Sequence, residues 1–351
     1  MDIDFFKNKK VFITGHNGFK GSWLCRILLN AGAEICGYSL PLEKKENLFE
    51  LAGIKNYIRD INGDIRDFNF LQRVFNDFKP EIVMHLAAQP IVRDSYKEPR
   101  YTYETNVMGT VNILECVRKS DCVRSVLNVT TDKVYKNNEW YWGYRENEEL
   151  NGFDPYSNSK SCSELVTDCY KKSFFADNCI AISTARAGNV IGGGDFANDR
   201  IIPDCIRSQI KNKPIIVRNP YSIRPYQHVL EALFAYLMIV EKQAYSKEVA
   251  GSYNVGPDEE SCVTTGELVS LFCKYWGNEA LWRVQTEKNA PHEANFLRLD
   301  CSKLKSAFNW KPQWTINEAV KYTCDWSKIW INGKDVEYEM DKEIKEYMKE
   351  G

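Results

Sequence analysis

Short apolar runs alternate with longer segments in which Leu, Ile, Val and Phe recur every three or four positions, from residue 10 to about residue 190. The runs Lys10–Thr14, Glu34–Ser39, Tyr57–Asp60, Ile82–Leu86, Val123–Val129 and Ile180–Arg186 predict strands. Between them, Phe19–Asn30, Asn69–Phe78, Tyr101–Lys119 and Tyr156–Phe175 carry the spacing of amphipathic helices. Strands and helices in strict alternation predict an α/β fold built on a doubly wound parallel sheet.

Beyond about residue 190 the pattern loosens. Gly192, Gly193 and Gly194, then Pro203, Pro214, Pro220 and Pro225, interrupt shorter periodic segments. This stretch reads as a smaller C-terminal α/β substrate-binding domain. The expected division is residues 1–188 for a nucleotide-binding domain, rejoined by about 226–256, with 189–225 and 257–351 on the substrate side. Thr264–Tyr275 and Ile316–Trp330 read as helices, and the charged tail after Lys334 as an exposed terminal helix.

Composition narrows the partners. With 46 Lys and Arg against 48 Asp and Glu the net charge is −2, which gives no reason to expect nucleic acid or an anionic membrane. No apolar run reaches membrane-spanning length, and the opening residues lead straight into a strand with no apolar signal core. The twelve cysteines include no C-x-x-C pair. A cytoplasmic protein with reduced thiols is the expectation. Four histidines, His16, His85, His228 and His292, lie apart without metal-ligand spacing, so no metal is expected.

Candidate chemistry begins at Gly15-His16-Asn17-Gly18-Phe19-Lys20-Gly21, which leaves a strand and opens a helix. In that context Gly15 permits a tight turn, Gly18 lets the backbone approach a pyrophosphate, and Gly21 lets helix and sheet pack closely. Free N–H groups at the helix N-terminus suit the phosphates of a dinucleotide. The plain alternative is an ordinary βα turn. His16, inside the loop, is placed to touch a cofactor phosphate. The second strand ends Tyr38-Ser39-Leu40, without the acidic residue that usually holds the ribose and favours NAD over NADP. Lys44 and Lys45 either accept a 2′-phosphate or form a solvated loop with Glu43 and Glu46. Asp64 and Ile65, after the third strand, suit an adenine contact.

Tyr156 and Lys160 lie four apart on one helical face, where an ammonium beside the phenol would favour phenolate and make a base for a sugar hydroxyl. Just upstream, Thr130-Thr131-Asp132-Lys133 closes a strand, and ligands of open α/β sheets bind outside the carboxyl ends of the strands.

On these motifs the chain resembles the extended short-chain dehydrogenase/reductase superfamily and, within it, the nucleotide-sugar 4,6-dehydratases that act on CDP-glucose. The likeness also runs through Leu86-Ala87-Ala88-Gln89-Pro90, Thr105-Asn106-Val107-Met108-Gly109-Thr110, Arg186 to Asp195, Arg224 to His228, and His292-Glu293-Ala294. It implies a Rossmann-type fold, NAD as cofactor and an internal redox cycle on CDP-glucose or another nucleotide hexose. Hydride leaves C4 of the sugar, water is lost across C5 and C6, and the hydride returns to C6. By this resemblance Thr131 orients the C4 oxygen, Tyr156 takes its proton, and Lys160 tunes Tyr156 and holds the nicotinamide ribose. Asp132 protonates the departing C6 hydroxyl. Lys133 stands where dTDP-glucose dehydratases carry a glutamate base. It either acts as base in its neutral form or stays charged and stabilises an enolate.

The resemblance also implies cofactor contacts from Leu86, Ala87 and Ala88. Asn106 either orients the active-site lysine or packs its helix. Gln89, Asn189, Asp199, Arg200, Arg224 and His292 are candidates for the substrate end, Arg224 for the pyrophosphate because of its planar donor fork. A homodimer or higher homo-oligomer is expected, paired through Tyr101–Lys119 and Tyr156–Phe175. The competing readings are a C4 epimerase, a dehydratase for another nucleotide sugar, and a nucleotide-sensing binding module without catalysis. Asp132 favours dehydration, since an epimerase needs no acid at C6.

Overall fold

A computed structural model describes residues 1–42, 46–277, 280–285 and 296–350. Its centre is a seven-stranded sheet formed by β1 (Lys10–Thr14), β2 (Glu34–Ser39), β3 (Arg59–Asn62), β4 (Ile82–His85), β5 (Ser125–Val129), β6 (Ala181–Ala187) and Ser252–Val255. The last strand returns from the second half of the chain to pair with β6, and the spatial order runs from it through β6, β5, β4, β1 and β2 to β3. Every pairing is parallel, with Val11 facing Ile35 on one side and Ile82 on the other. Strands buried on both faces must be apolar nearly throughout, and β1, β4 and β5 are. Strand order reverses between β1 and β4, so the loops that follow these two strands open a crevice at the carboxyl edge.

Helices α1 (Phe19–Asn30), α2 (Leu48–Leu51), α3 (Phe68–Phe78), α4 (Val92–Lys97), α5 (Pro99–Tyr103), α6 (Gly109–Arg118) and α7 (Pro155–Phe174) connect the strands. In α3, Asp67 accepts from the Phe70 amide at 3.0 Å, and Leu71, Val74, Phe75 and Phe78 supply the buried stripe. One sheet face packs on α3, α6 and α7, the other on α1, Val229–Tyr245 and Val336–Glu350. A separate core, including Ile202, Cys205, Leu268 and Phe272, closes the region beyond the crevice.

Three elements differ from their sequence pattern. The third strand begins at Arg59, because the preceding residues form a 3-10 turn that leaves Tyr57 exposed. The helix expected over Tyr101–Lys119 is divided by a π-helical segment, Glu104–Met108, which changes the side-chain register before α6. The tail helix is not exposed on all sides. Val336, Met340, Ile344 and Tyr347 form a buried stripe, and Arg26 of α1 pairs with Glu337 at 2.7 Å and with Asp341.

Candidate active site

The crevice is the mouth of a cavity of about 1400 Å³ that extends from Gly15 past Tyr156 to Arg224. Gly15, with φ of 74°, takes the left-handed turn at the end of β1, and a side chain there would stand 2.7 Å from the Ala87 amide nitrogen. A side chain on Gly21 would come within 2.2 Å of the Gly15 carbonyl. Gly18 caps α1 and contributes no side chain to its first turn, so backbone donors border the cavity. A bare, positive helix end beneath a turn that is tightly packed at Gly15 and Gly21 fits a dinucleotide pyrophosphate.

At the carboxyl end of β5, Thr131 caps a one-turn 3-10 helix, Asp132–Val134. The Thr131 hydroxyl donates to Asp132 Oδ1 at 3.0 Å, while Asp132 Oδ2 is buried without a protein partner. Asp154 caps α7, accepting from the Ser157 amide at 2.9 Å and its hydroxyl at 2.6 Å, and so fixes the turn that carries Tyr156. Lys160, one turn further, donates to the Val129 carbonyl at 3.0 Å. Thr131, Asp132, Lys133, Tyr156 and Lys160 all line the cavity.

Burial dominates the electrostatics around the Tyr156 phenol. Burial pushes the Tyr156 phenol up to about 12, with the Asp132 charge adding to the rise. The interaction with the Thr131 side chain and the charge of Arg200 act against it. The Lys160 ammonium, meanwhile, is turned to the Val129 carbonyl. Burial also lowers Lys160 to about 8. Lys20 is lowered to about 8 by burial and then by Arg200, while Asp132 opposes the shift.

The sequence matches the model of the family described as GDP-mannose 4,6 dehydratase over residues 12–323. The chain belongs to this family. It is 46% identical to the CDP-glucose 4,6-dehydratase of Salmonella typhimurium, over 99% of this chain and 98% of that protein. The fold matches dTDP-glucose 4,6-dehydratase from Bacillus anthracis in complex with NAD, at TM-score 0.78 and 21% identity over 91% of this chain and 96% of the other. It also matches UDP-glucose 4-epimerase from Thermus thermophilus with NAD, at TM-score 0.79 and 24% identity over 91% of this chain and 99% of that one.

Within this member of the dehydratase family, several candidate residues reach the cavity and several do not. Asn17, Phe19, Lys20, Ile65, Leu86, Ala87 and Ala88 border it. The Asn17 amide also donates to the Leu40 carbonyl at 2.8 Å, bracing the glycine turn against the end of β2. The His16 imidazole points away from any phosphate. It is buried beneath β2, where Nε2 meets Asp60 Oδ1 at 2.8 Å, and a side chain on Gly37 would collide with its ring. Asp64 borders the cavity, but its carboxylate is taken by Arg66 at 2.6 Å.

Gln89 and Asn106 do not border the cavity, and their side chains engage the loop. The Gln89 amide donates to the Ile91 carbonyl and the Thr102 hydroxyl, and its oxygen accepts from the Ile91 amide at 2.6 Å. Asn106 clasps both backbone groups of Gln89 and donates to Ser159 on α7.

At the far end, Asn189, Asp199, Arg200 and Arg224 line the cavity. Arg200 pairs with Asp195 at 2.8 Å, and its charge bears on the Tyr156 phenol. Asp199 pairs with Arg218 at 3.1 Å. Arg218, not singled out from sequence, lines the same wall, and its signal is a second arginine in the proline-rich stretch before Arg224. His292, Glu43, Lys44 and Lys45 lie outside the described residues. Among the described residues no His, Cys, Asp or Glu side chains cluster as a metal site, and no helix is long and apolar enough to cross a membrane.

Proposed function

We propose that this chain is an NAD-dependent hydro-lyase that converts CDP-D-glucose to CDP-4-keto-6-deoxy-D-glucose. The observation that carries the reading is Asp132, a buried carboxylate with one oxygen free of protein partners, in the same cavity as Tyr156. Dehydration needs a proton donor at C6, and epimerisation at C4 does not. The choice of CDP-glucose rests on the likeness to the Salmonella typhimurium enzyme.

NAD, when bound, supplies the acceptor for the C4 hydride and its return to C6. The turn at Gly15–Gly21 would hold the pyrophosphate, with Leu86 and Ala87 packed beside Gly15 and Ala88 on the cavity wall. Tyr156 takes the proton of the C4 hydroxyl, held by Thr131, and Arg200 lends the charge that makes its phenolate accessible. Lys160 would hold the nicotinamide ribose. The resulting C4 ketone acidifies the C5 proton, which Lys133 either removes as a neutral amine or, staying charged, leaves to another base while it stabilises the enolate. Asp132 protonates the C6 hydroxyl, which departs as water. C6 then receives the hydride and C5 a proton. Arg224, with Asn189 and Arg218, faces the sugar nucleotide's diphosphate.

A cytoplasmic enzyme working as a homodimer or higher homo-oligomer is part of the same reading. Tyr103, Met108 and Leu165, exposed on the helical layer that holds α6 and α7, support that assembly, which light scattering tests. The test of function is incubation of the protein and NAD with a panel of nucleotide hexoses, followed by mass spectrometry. Loss of one water from CDP-glucose without net cofactor reduction is expected. Unchanged mass with inverted C4 would identify an epimerase, net cofactor reduction a simple dehydrogenase, and binding without turnover a sensing module.

A further inference from the structure

The reactive turn at Thr131–Lys133 has few bonds of its own. Thr131 reaches Asp132 at 3.0 Å and the Lys133 amide at 3.4 Å. Its stronger anchors lie behind it, in groups that perform no chemical step. Glu164, on α7 one turn beyond Lys160, is 2% exposed. It accepts from the Thr130 hydroxyl, from the Thr184 hydroxyl at 2.7 Å and from the Arg186 guanidinium at 2.9 Å. Arg186, on β6, also donates to the Tyr135 hydroxyl at 2.8 Å, which passes its own proton to Asn254 at 2.6 Å. Thr130 immediately precedes the reactive turn, and Tyr135 follows it after Val134. A single buried ion pair therefore grips the turn at both ends, and its carboxylate is rooted in the helix that carries Tyr156 and Lys160.

A buried ion pair costs about as much to desolvate as its attraction returns, so stability alone is a poor reason for one here. We propose that Glu164 and Arg186 are positioning residues for the elimination half of the reaction, setting Asp132 and Lys133 in register with Tyr156 through Thr130 and Tyr135. The oxidation half depends on them less, because it draws only Thr131 from this turn, while Tyr156 and Lys160 keep their own supports in the Asp154 cap and the Val129 carbonyl. This assignment rests on the dehydration reading above.

Thr130→Val tests it gently, since Glu164 retains two donors, and Tyr135→Phe tests the other end. With CDP-glucose and NAD, absorbance of the reduced nicotinamide reports oxidation and mass spectrometry reports loss of water. In both variants oxidation should stay within about threefold of the parent while water loss slows by about tenfold or more, so that reduced cofactor accumulates. NAD affinity and melting temperature should stay near the parent values, and Thr130→Ser should restore water loss. Equal slowing of both steps, or no slowing of either, would overturn the assignment. If the parent enzyme fails to dehydrate CDP-glucose, the functional reading falls and amide exchange of the ligand-free protein decides the positioning role. Exchange over residues 131–135 should rise by about tenfold in Thr130→Val with 156–164 unchanged, and unchanged exchange in both segments would refute it.

Discussion

Burial places the Tyr156 phenol at about 12, so a proton leaves it at neutral pH only if positive charge stands close to the oxygen. Arg200 provides such charge. Because turnover rises with pH as phenolate forms, Arg200→Gln should move that rise to higher pH. For every pH unit that the rise moves, kcat/KM at pH 7 should fall by about tenfold. Rate–pH profiles of the two proteins check it. Tyr156→Phe should slow C4 oxidation by about 10²–10⁴-fold, and Asp132→Asn should instead let a 4-keto hexose and reduced cofactor build up. Normal turnover by Asp132→Asn would remove the acid from the scheme. Lys160 carries a stability consequence of the opposite sign to its use. Its folded value is about 8 against an ordinary 10.5, so the unfolded chain binds the proton more tightly and stability rises with pH between these values. Below about 8 the full cost of burying the ammonium applies. Lys160→Met should therefore melt higher at pH 7, less the loss of the Val129 hydrogen bond, with the advantage fading toward pH 10.5. What sequence made legible at this scale was local: three glycines at fixed offsets, a Tyr–Lys pair on one helical face, a Thr-Asp-Lys turn closing a strand. Side-chain direction was not legible. His16 meets Asp60, 44 positions away, and Asn106 meets Ser159, 53 away, and residue type alone does not tell a ligand contact from such a brace.

Elements were legible where burial is two-sided or the apolar stripe is uninterrupted, as in β1, β4, β5, α1 and α3. The tail helix defeated that signal because its charged faces outweigh a narrow stripe. Met340 has no exposed surface, and Met340→Ala should cost about 2–5 kcal/mol by chemical denaturation. The same docking contains carboxylates that titrate. Glu231 accepts from the Gln313 and Trp314 amides and from the Tyr347 hydroxyl of the tail helix, and burial raises it to about 7 from 4.5. The folded chain keeps this proton through that window and the unfolded chain does not. Its contribution is thus complete below 4.5 and declines as pH rises toward 7. His228, lowered by burial to about 3 from 6.5, acts in the other direction between those values. Glu231→Gln isolates the first effect, because the amide oxygen can accept both backbone donors while its nitrogen donates to Tyr347. Its melting temperature relative to the parent should climb between pH 4.5 and 7 and then level.

Taken whole, the molecule joins two layers of different origin around one cavity. The carboxyl edge of the sheet offers the glycine turn, the reactive turn after β5 and the first turn of α7. The later half offers Arg200, Arg218 and Arg224, after the chain has left the sheet and before it returns as Ser252–Val255. A cavity of about 1400 Å³ exceeds the roughly 300–1,000 Å³ of a pocket for one small ligand, leaving room for a dinucleotide and a sugar nucleotide together. An internal redox cycle demands that room, since the hydride must be stored and returned before the ketone escapes. Substrate carrying deuterium at C4 should therefore give product carrying it at C6, with C5 taking its hydrogen from solvent. Nuclear magnetic resonance of the product reads both positions. Deuterium lost to the medium, or appearing in product formed from a second, unlabelled substrate, would mean that the cavity opens between oxidation and reduction. The single enclosed site would then fail even if every residue role within it stood.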